Sequence, residues 1–202
     1  MQTIERSTVF PMALGQMIQP HNALRVLRTS GIRLSDWGKG QAKPPEALVS
    51  SLTYEQVELW LHEGKPTLHV NVAVPYVLCS VDGHIEYLYE AERIFDGVSM
   101  PAGDFDGTLG ETFEKGESPL DAFKRGLKEE LEFTDPSLYN LREMKTVQIL
   151  GPMLSPDHYP NLEVYYYRNK CNCLINPVLR KKEHIEKRGS RTTIFRWKIV
   201  YV

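Results

Sequence analysis

PAGDFDGTLGETFEKGESPLDAFKRGLKEELEF, residues 101–133, is the stretch whose reading decides the fold. It reads as a glycine-containing loop followed by a helix of about thirteen residues. Ser118 is a good N-cap, because its hydroxyl can accept from an N–H of the first turn that has no partner within the helix. Pro119 sits at the first helical position, where a missing N–H costs nothing, and Asp121 places a carboxylate at the positive end of the helix dipole. Leu120, Phe123, Leu127 and Leu131 fall on one stripe at helical spacing and are predicted to face a core. Glu129 and Glu130 flank a different face, shared with Ala122 and Gly126. Adjacent carboxylates suit a hard divalent cation such as Mg²⁺, which takes oxygen ligands and keeps waters or substrate phosphates in its remaining positions. Glu-Glu pairs on amphipathic helices are also commonly just solvated, so charge pattern alone leaves both readings open.

Over this stretch the chain resembles the Nudix hydrolase family. That family's box runs Gly, five residues, Glu, seven residues, then Arg-Glu-apolar-x-Glu-Glu-x-Gly-apolar. Here Glu117 is followed by seven residues and then by Arg125-Gly126-Leu127-Lys128-Glu129-Glu130-Leu131-Glu132-Phe133. The Gly116-Glu117-Ser118 turn, the arginine, both apolar positions and the Glu-Glu pair match. Pro101-Ala102-Gly103 is similar to the family's Pro-Gly-Gly ahead of the box. Three positions depart from it. Thirteen residues separate Gly103 from Glu117 instead of five, which implies an eight-residue insertion and leaves Glu111 at the strict box position. Gly126 replaces a glutamate that serves the family as metal ligand or catalytic carboxylate, and Glu132 replaces the glycine that closes the helix. A glycine inside a helix costs roughly 1 kcal/mol relative to alanine, so Gly126 is not there for helix propensity. Either its carboxylate is no longer needed, or the missing side chain makes room for a ligand or water.

The resemblance implies an α+β fold, a Nudix-like α/β/α sandwich with a mixed β-sheet. It further implies a hydrolase that cleaves a diphosphate linkage in a nucleoside diphosphate-X type substrate with Mg²⁺ or Mn²⁺. Carried over residue by residue, Glu129, Glu130, Glu117 and Arg125 are the catalytic candidates. Glu129, Glu130 and Glu117 are the candidate metal ligands, and Gly103 and Gly116 shape the substrate-binding loop. Family members often draw one more carboxylate from outside the box, for which Glu183 and Glu186 are the candidates. The incomplete box, the lengthened loop 104–115 and an N-terminal segment outside the resemblance also support a different expectation, an inactive Nudix-fold module. Such a module would bind a nucleotide, an RNA end or a protein partner without cleaving it.

The rest of the chain is consistent with one main domain and an appendage. Its 202 residues carry a net charge of −2, which advertises neither nucleic acid nor a membrane surface. Three cysteines, Cys79, Cys171 and Cys173, suggest a reducing compartment with no disulfide framework. No apolar run approaches the roughly eighteen residues needed to span a bilayer. An intracellular location is expected; Arg6, Arg25, Arg28 and Arg33 with few acids keep organelle import open as well. A homodimer, or a protein partner bound through the N-terminal extension, fits the same reading.

Residues 1–64 are expected to form the N-terminal helical extension and 65–202 the Nudix-like domain. Within the extension, His21–Thr29 reads as a short helix and Trp37–Pro45 as a loop. Thr53 reads as the cap of a second helix through His62, with Gln56 completing a capping box and Gly64 beyond its end. Trp37 could stack a nucleobase or anchor its loop.

From Thr67 the pattern alternates with period two, and Asp82-Gly83 is a hairpin signal leading into Ile85–Glu90. Lys145–Leu150, Leu162–Tyr167 and Ile194–Val200 read as strands, with a loop over 151–160. Arg180–Arg191 mixes Lys181, Lys182, Lys187 and Arg188 with acids, so it reads as a solvated charged helix or as a patch that meets phosphates.

Overall fold

The computed structural model describes residues 15–40, 42–101, 108–155 and 158–200. Gly103, Asp157 and the first residues of the expected loop insertion, 104–107, lie outside them. The described chain is α+β and dominated by strands, with three α-helices. It divides into two compact units: one gathers residues from 15–72, 112–117 and 146–168, the other from 73–111, 118–145 and 169–200.

In the first unit, β1 (Gln16–Met17) pairs with β2 (Val57–His62), and β2 pairs antiparallel with the first part of β3 (Lys65–Val81). Two helices, α1 (Ala23–Thr29) and α2 (Pro45–Thr53), contribute Leu27, Leu48 and Leu52 to a core shared with Leu59, Leu68, Leu162 and Val164. The helix expected from Thr53 to His62 is corrected: Thr53 is the last residue of α2, and 57–62 is a strand. Glu55 adopts a left-handed φ of 55°, which breaks the helix, and β-branched and aromatic residues follow with Leu59 fully buried. The glycine read as a helix terminator, Gly64, instead forms with Glu63 a turn of two positive-φ residues, the geometry that joins β2 to β3 as a tight hairpin. Trp37 is buried, donates from Nε1 to the Pro160 carbonyl at 3.0 Å and packs on the Tyr159 ring, so it anchors its loop.

In the second unit, the rest of β3 turns at Asp82-Gly83, both at positive φ, into β4 (His84–Phe95), with Leu78 opposite Tyr87. The hairpin signal in the sequence is therefore realised. β5 (Val98–Pro101) folds back on β4, and β10 (Arg191–Val200) lies between β4 and β9 (Glu183–Arg188), all antiparallel. The core of this unit joins Val77, Cys79, Leu88, Leu109, Cys173, Ile175 and Phe195 to Leu127, Leu131 and Phe133 at the end of α3 (Pro119–Leu131). The short β6 (Glu111–Thr112) pairs with β3, while β7 (Tyr139–Ser155) and β8 (Tyr159–Ile175) pair with each other and run through both units.

Three further expectations change. Leu120 is not in the core: it is 37% exposed and borders an open cleft of about 540 Å³ with Leu138 and Leu174. The stretch read as a loop over 151–160 continues as strand through Ser155. Arg180–Arg191 is not a helix but β9 and its turn, in which pairing to β10 sorts the mixed charges by face: His184 and Glu186 are buried, Ile185 and Lys187 exposed. The cysteines are free and buried, with Cys171 and Cys173 at alternate positions of β8 around exposed Asn172, as strand alternation implies.

Candidate active site

Glu129 and Glu130 are positioned by the ends of α3. Ser118 Oγ accepts from the Asp121 N–H at 3.2 Å, with Pro119 at the first helical position. At the other end Glu132 takes a left-handed conformation (φ 61°, ψ 25°), and the Phe133 N–H donates back to the Leu127 carbonyl at 3.1 Å. That closure is what a glycine normally provides. It buries Phe133, Leu127 and Leu131 against the sheet and sets Ala122, Gly126 and Glu130, spaced by four residues, on a second buried line. Glu130 is accordingly 9% exposed while Glu129, one residue earlier, stays in contact with solvent.

A second carboxylate arrives from β6. Thr108 secures the approach: its hydroxyl donates to the Leu88 carbonyl at 2.6 Å and accepts from the Val77 N–H at 2.8 Å. Three residues later, buried Glu111 accepts from Arg125 Nη1 at 2.7 Å. The Glu111 side chain passes directly over Gly126. A β-carbon added there would stand 2.5 Å from Glu111 Cγ and 2.8 Å from Leu109 Cδ1, so the glycine is what lets Glu111 through.

Basic residues from β9 and β10 complete the group. Arg188 Nη2 lies 3.2 Å from Glu129 Oε2, 3.5 Å from Glu111 Oε1 and 4.0 Å from Glu130 Oε1. Its Nε pairs with Glu186, which also receives Arg191 Nη2 at 3.2 Å. Four carboxylates from α3, β6 and β9 thus surround one guanidinium. Burial pushes the Glu130 carboxyl up to about 9; its hydrogen bond to Glu111 and the charges of Glu186 and Glu111 add to that, against the pull of Arg188. Burial thus favours the neutral form of Glu130, which is hydrogen-bonded to Glu111.

The predicted residues do not all meet. Glu129, Glu130, Arg125 and Glu186 come together. Glu183 points to the other face of β9, where Arg196 Nε donates to it at 2.7 Å. Glu117 accepts from the Glu114 N–H at 2.9 Å, next to Gly116 at φ 73°, and so braces its own turn. Glu111, Arg188 and Arg191 complete the group and were not among the residues singled out for it. The sequence held a signal for Glu111: a carboxylate at the strict box position together with a glycine where the helix lacks one.

Carboxylate oxygens are the ligands a hard dication takes, and here the group they face is the Arg188 guanidinium. Among the described residues no group of three or more His, Cys, Asp or Glu is arranged to hold a metal ion. No helix among the described residues is long and apolar enough to cross a membrane.

No family model matches the chain, and no curated protein matches it. Among solved structures the chain is similar to a C. elegans Ap4A hydrolase, with 17% identity over 64% of this chain and 80% of that one, at a TM-score of 0.32.

Proposed function

We propose that the protein is a Nudix-type hydrolase, built on an α/β/α sandwich, that uses Mg²⁺ or Mn²⁺ to cleave a diphosphate linkage in a nucleoside diphosphate-X type substrate. The observation that carries this reading is the convergence of Glu111, Glu129, Glu130 and Glu186 on a single cationic group. A bound dication would neutralise phosphate charge and acidify a water. Glu129 and Glu130 would hold such a cation, both as carboxylates. The Arg188 guanidinium, which pairs with these carboxylates, would be a partner for substrate phosphate once released from them. Arg125 keeps Glu111 in place.

Calorimetric titration with Mn²⁺, followed by assay of a panel of nucleoside diphosphate compounds for released phosphate products, tests the reading. Glu129→Gln is expected to abolish hydrolysis; full cation-dependent activity in that variant would defeat the assignment. A second reading, a module that binds nucleotides without cleaving them, is favoured by one observation: Arg125, Arg188 and Arg191 already pair with the carboxylates. Nucleotide binding that is indifferent to cations and yields no product would select it.

A further inference from the structure

The sheet of the second unit has two unlike faces. Val77, Cys79, Leu88 and Phe195 point to one of them, where Leu127 and Leu131 of α3 and the following Phe133 cover them. Tyr76, Leu78, Tyr87 and Tyr89 alternate with these residues along β3 and β4 and so point to the other. The one α-helix among the described residues of this unit is α3, so no helix of the unit lies over that second face.

Basic side chains are set among the rings. Lys198, opposite Tyr87 on β10, holds its Nζ 5.1 Å from the centre of the Tyr87 ring and 4.8 Å from that of Tyr89. Lys170 on β8 places its Nζ 5.5 Å from the centre of the Tyr76 ring, and the Tyr76 and Tyr87 rings are 6.1 Å apart. Three partly exposed rings on neighbouring strands thus alternate with two ammonium groups. The chain's net charge of −2 is not the charge of this face: Glu92 and Glu183, its acids, are both met by Arg196, at 4.0 and 2.7 Å. Flat rings accept stacked bases of any identity, and ammonium groups pair with phosphodiesters. A two-fold pairing of the face with itself would instead gather four lysines into one contact, where interfaces are depleted of charge.

We infer that the face bearing Tyr76, Tyr87 and Tyr89 binds single-stranded nucleic acid, the rings stacking bases while Lys170 and Lys198 meet the phosphodiesters between them. Recognition of this kind tolerates any sequence, because every base has a flat face to stack. It lies on the opposite side of the sheet from Glu130 and Glu186 and does not depend on the hydrolase reading.

Fluorescence anisotropy of a labelled oligouridylate of about ten nucleotides, titrated with the full chain in EDTA so that no cleavage intervenes, is the test. Wild type is expected to bind, with log K falling against log salt at a slope of about −1.4 for two phosphate contacts. Tyr89→Ala should bind at least about fivefold more weakly, whereas Tyr89→Phe, which keeps the ring, should match wild type. Lys198→Gln should lose about 0.7 of the slope, and Lys128→Gln, which removes the same charge from the exposed side of α3, should change neither affinity nor slope. Wild type that does not bind would overturn the inference, as would Tyr89→Ala and Lys198→Gln variants that bind as wild type does. A wild-type dimer in analytical ultracentrifugation that Tyr89→Ala dissociates would also overturn it, because a second copy would then occupy the face. Should Tyr89→Ala fail to melt cooperatively, the salt slope of Lys198→Gln, a change at an exposed residue, decides alone.

Discussion

Glu111 Cγ lies 2.5 Å from the point at which a β-carbon of Gly126 would stand. Two residues on different elements, fifteen positions apart in the chain, therefore cannot both carry a full side chain in this conformation. That mutual exclusion gives the first prediction. Gly126→Ala gains about 1 kcal/mol of helix propensity, but overpacking against Glu111 and Leu109 costs roughly 1–3 kcal/mol. The single variant should melt below wild type. Placed in a Glu111→Ala background, the same substitution should stabilise instead. A double-mutant cycle measured by urea unfolding reads the change of sign, and additive effects would mean that the two sites do not compete for space.

Glu132 closes α3 in a left-handed conformation that costs a non-glycine residue about 1–2 kcal/mol. Glycine meets that geometry without strain. The exposed pair with Lys181 at 3.2 Å offsets little of it, since such surface pairs contribute about 0–1 kcal/mol. Glu132→Gly should therefore raise the melting temperature by about 2–4 °C. An unchanged or lower value in differential scanning calorimetry would show that the helix end is not under strain.

Protonated Glu130 makes stability depend on pH with a definite sign. Its folded pKa, about 9, lies above the ordinary 4.5, so between these values the folded chain holds a proton that the unfolded chain has released. The stabilisation is complete below the ordinary value and is lost as pH rises through about 9. Wild type should lose stability across that window, and Glu130→Gln, which cannot ionise, should not. The advantage of the variant over wild type is then expected to grow from pH 5 to pH 9 in thermal melts. A difference that stays constant with pH would place an ordinary, ionised carboxylate at that position.

Arg188 supplies the positive charge that four acids share. Arg188→Met should lower stability in cation-free buffer by roughly 1–3 kcal/mol, less than for a fully buried pair because the guanidinium is about half exposed. Added Mn²⁺ should return more stability to this variant than to wild type, since a dication would take over the vacated role. Thermal melts across a Mn²⁺ series measure both effects; no recovery in the variant would speak for the binding reading over the hydrolase.

What the sequence made legible was local. Ser118-Pro119 fixes the start of α3, and Asp82-Gly83 fixes a turn, because each depends on backbone preferences of adjacent residues. The segment from Thr53 to His62 misled for the same reason: a capping pattern was present, but a left-handed residue at Glu55 and pairing to β3 decided the outcome, and strand pairing is set by a partner elsewhere in the chain. Arg180–Arg191 likewise reads as an undivided charged run until β10 lies beside it and separates Glu183 from Glu186. Within the site, the residues on one helix were identifiable from spacing. Arg188 was not, and Glu111 was marked only by its place in the motif, because what joins them to Glu130 is distance across elements.

Among the described residues β9 is bonded along one edge only, to β10, and Arg188 is its last residue before the tight bend at Gly189. Strand ends on an open rim are where a sheet breathes most readily. Each brief peeling of that hairpin tip would withdraw the guanidinium and bare the acids, so how often the centre becomes receptive is governed by the looseness of a border hairpin, a quantity that amide exchange at residues 186–191 would register directly.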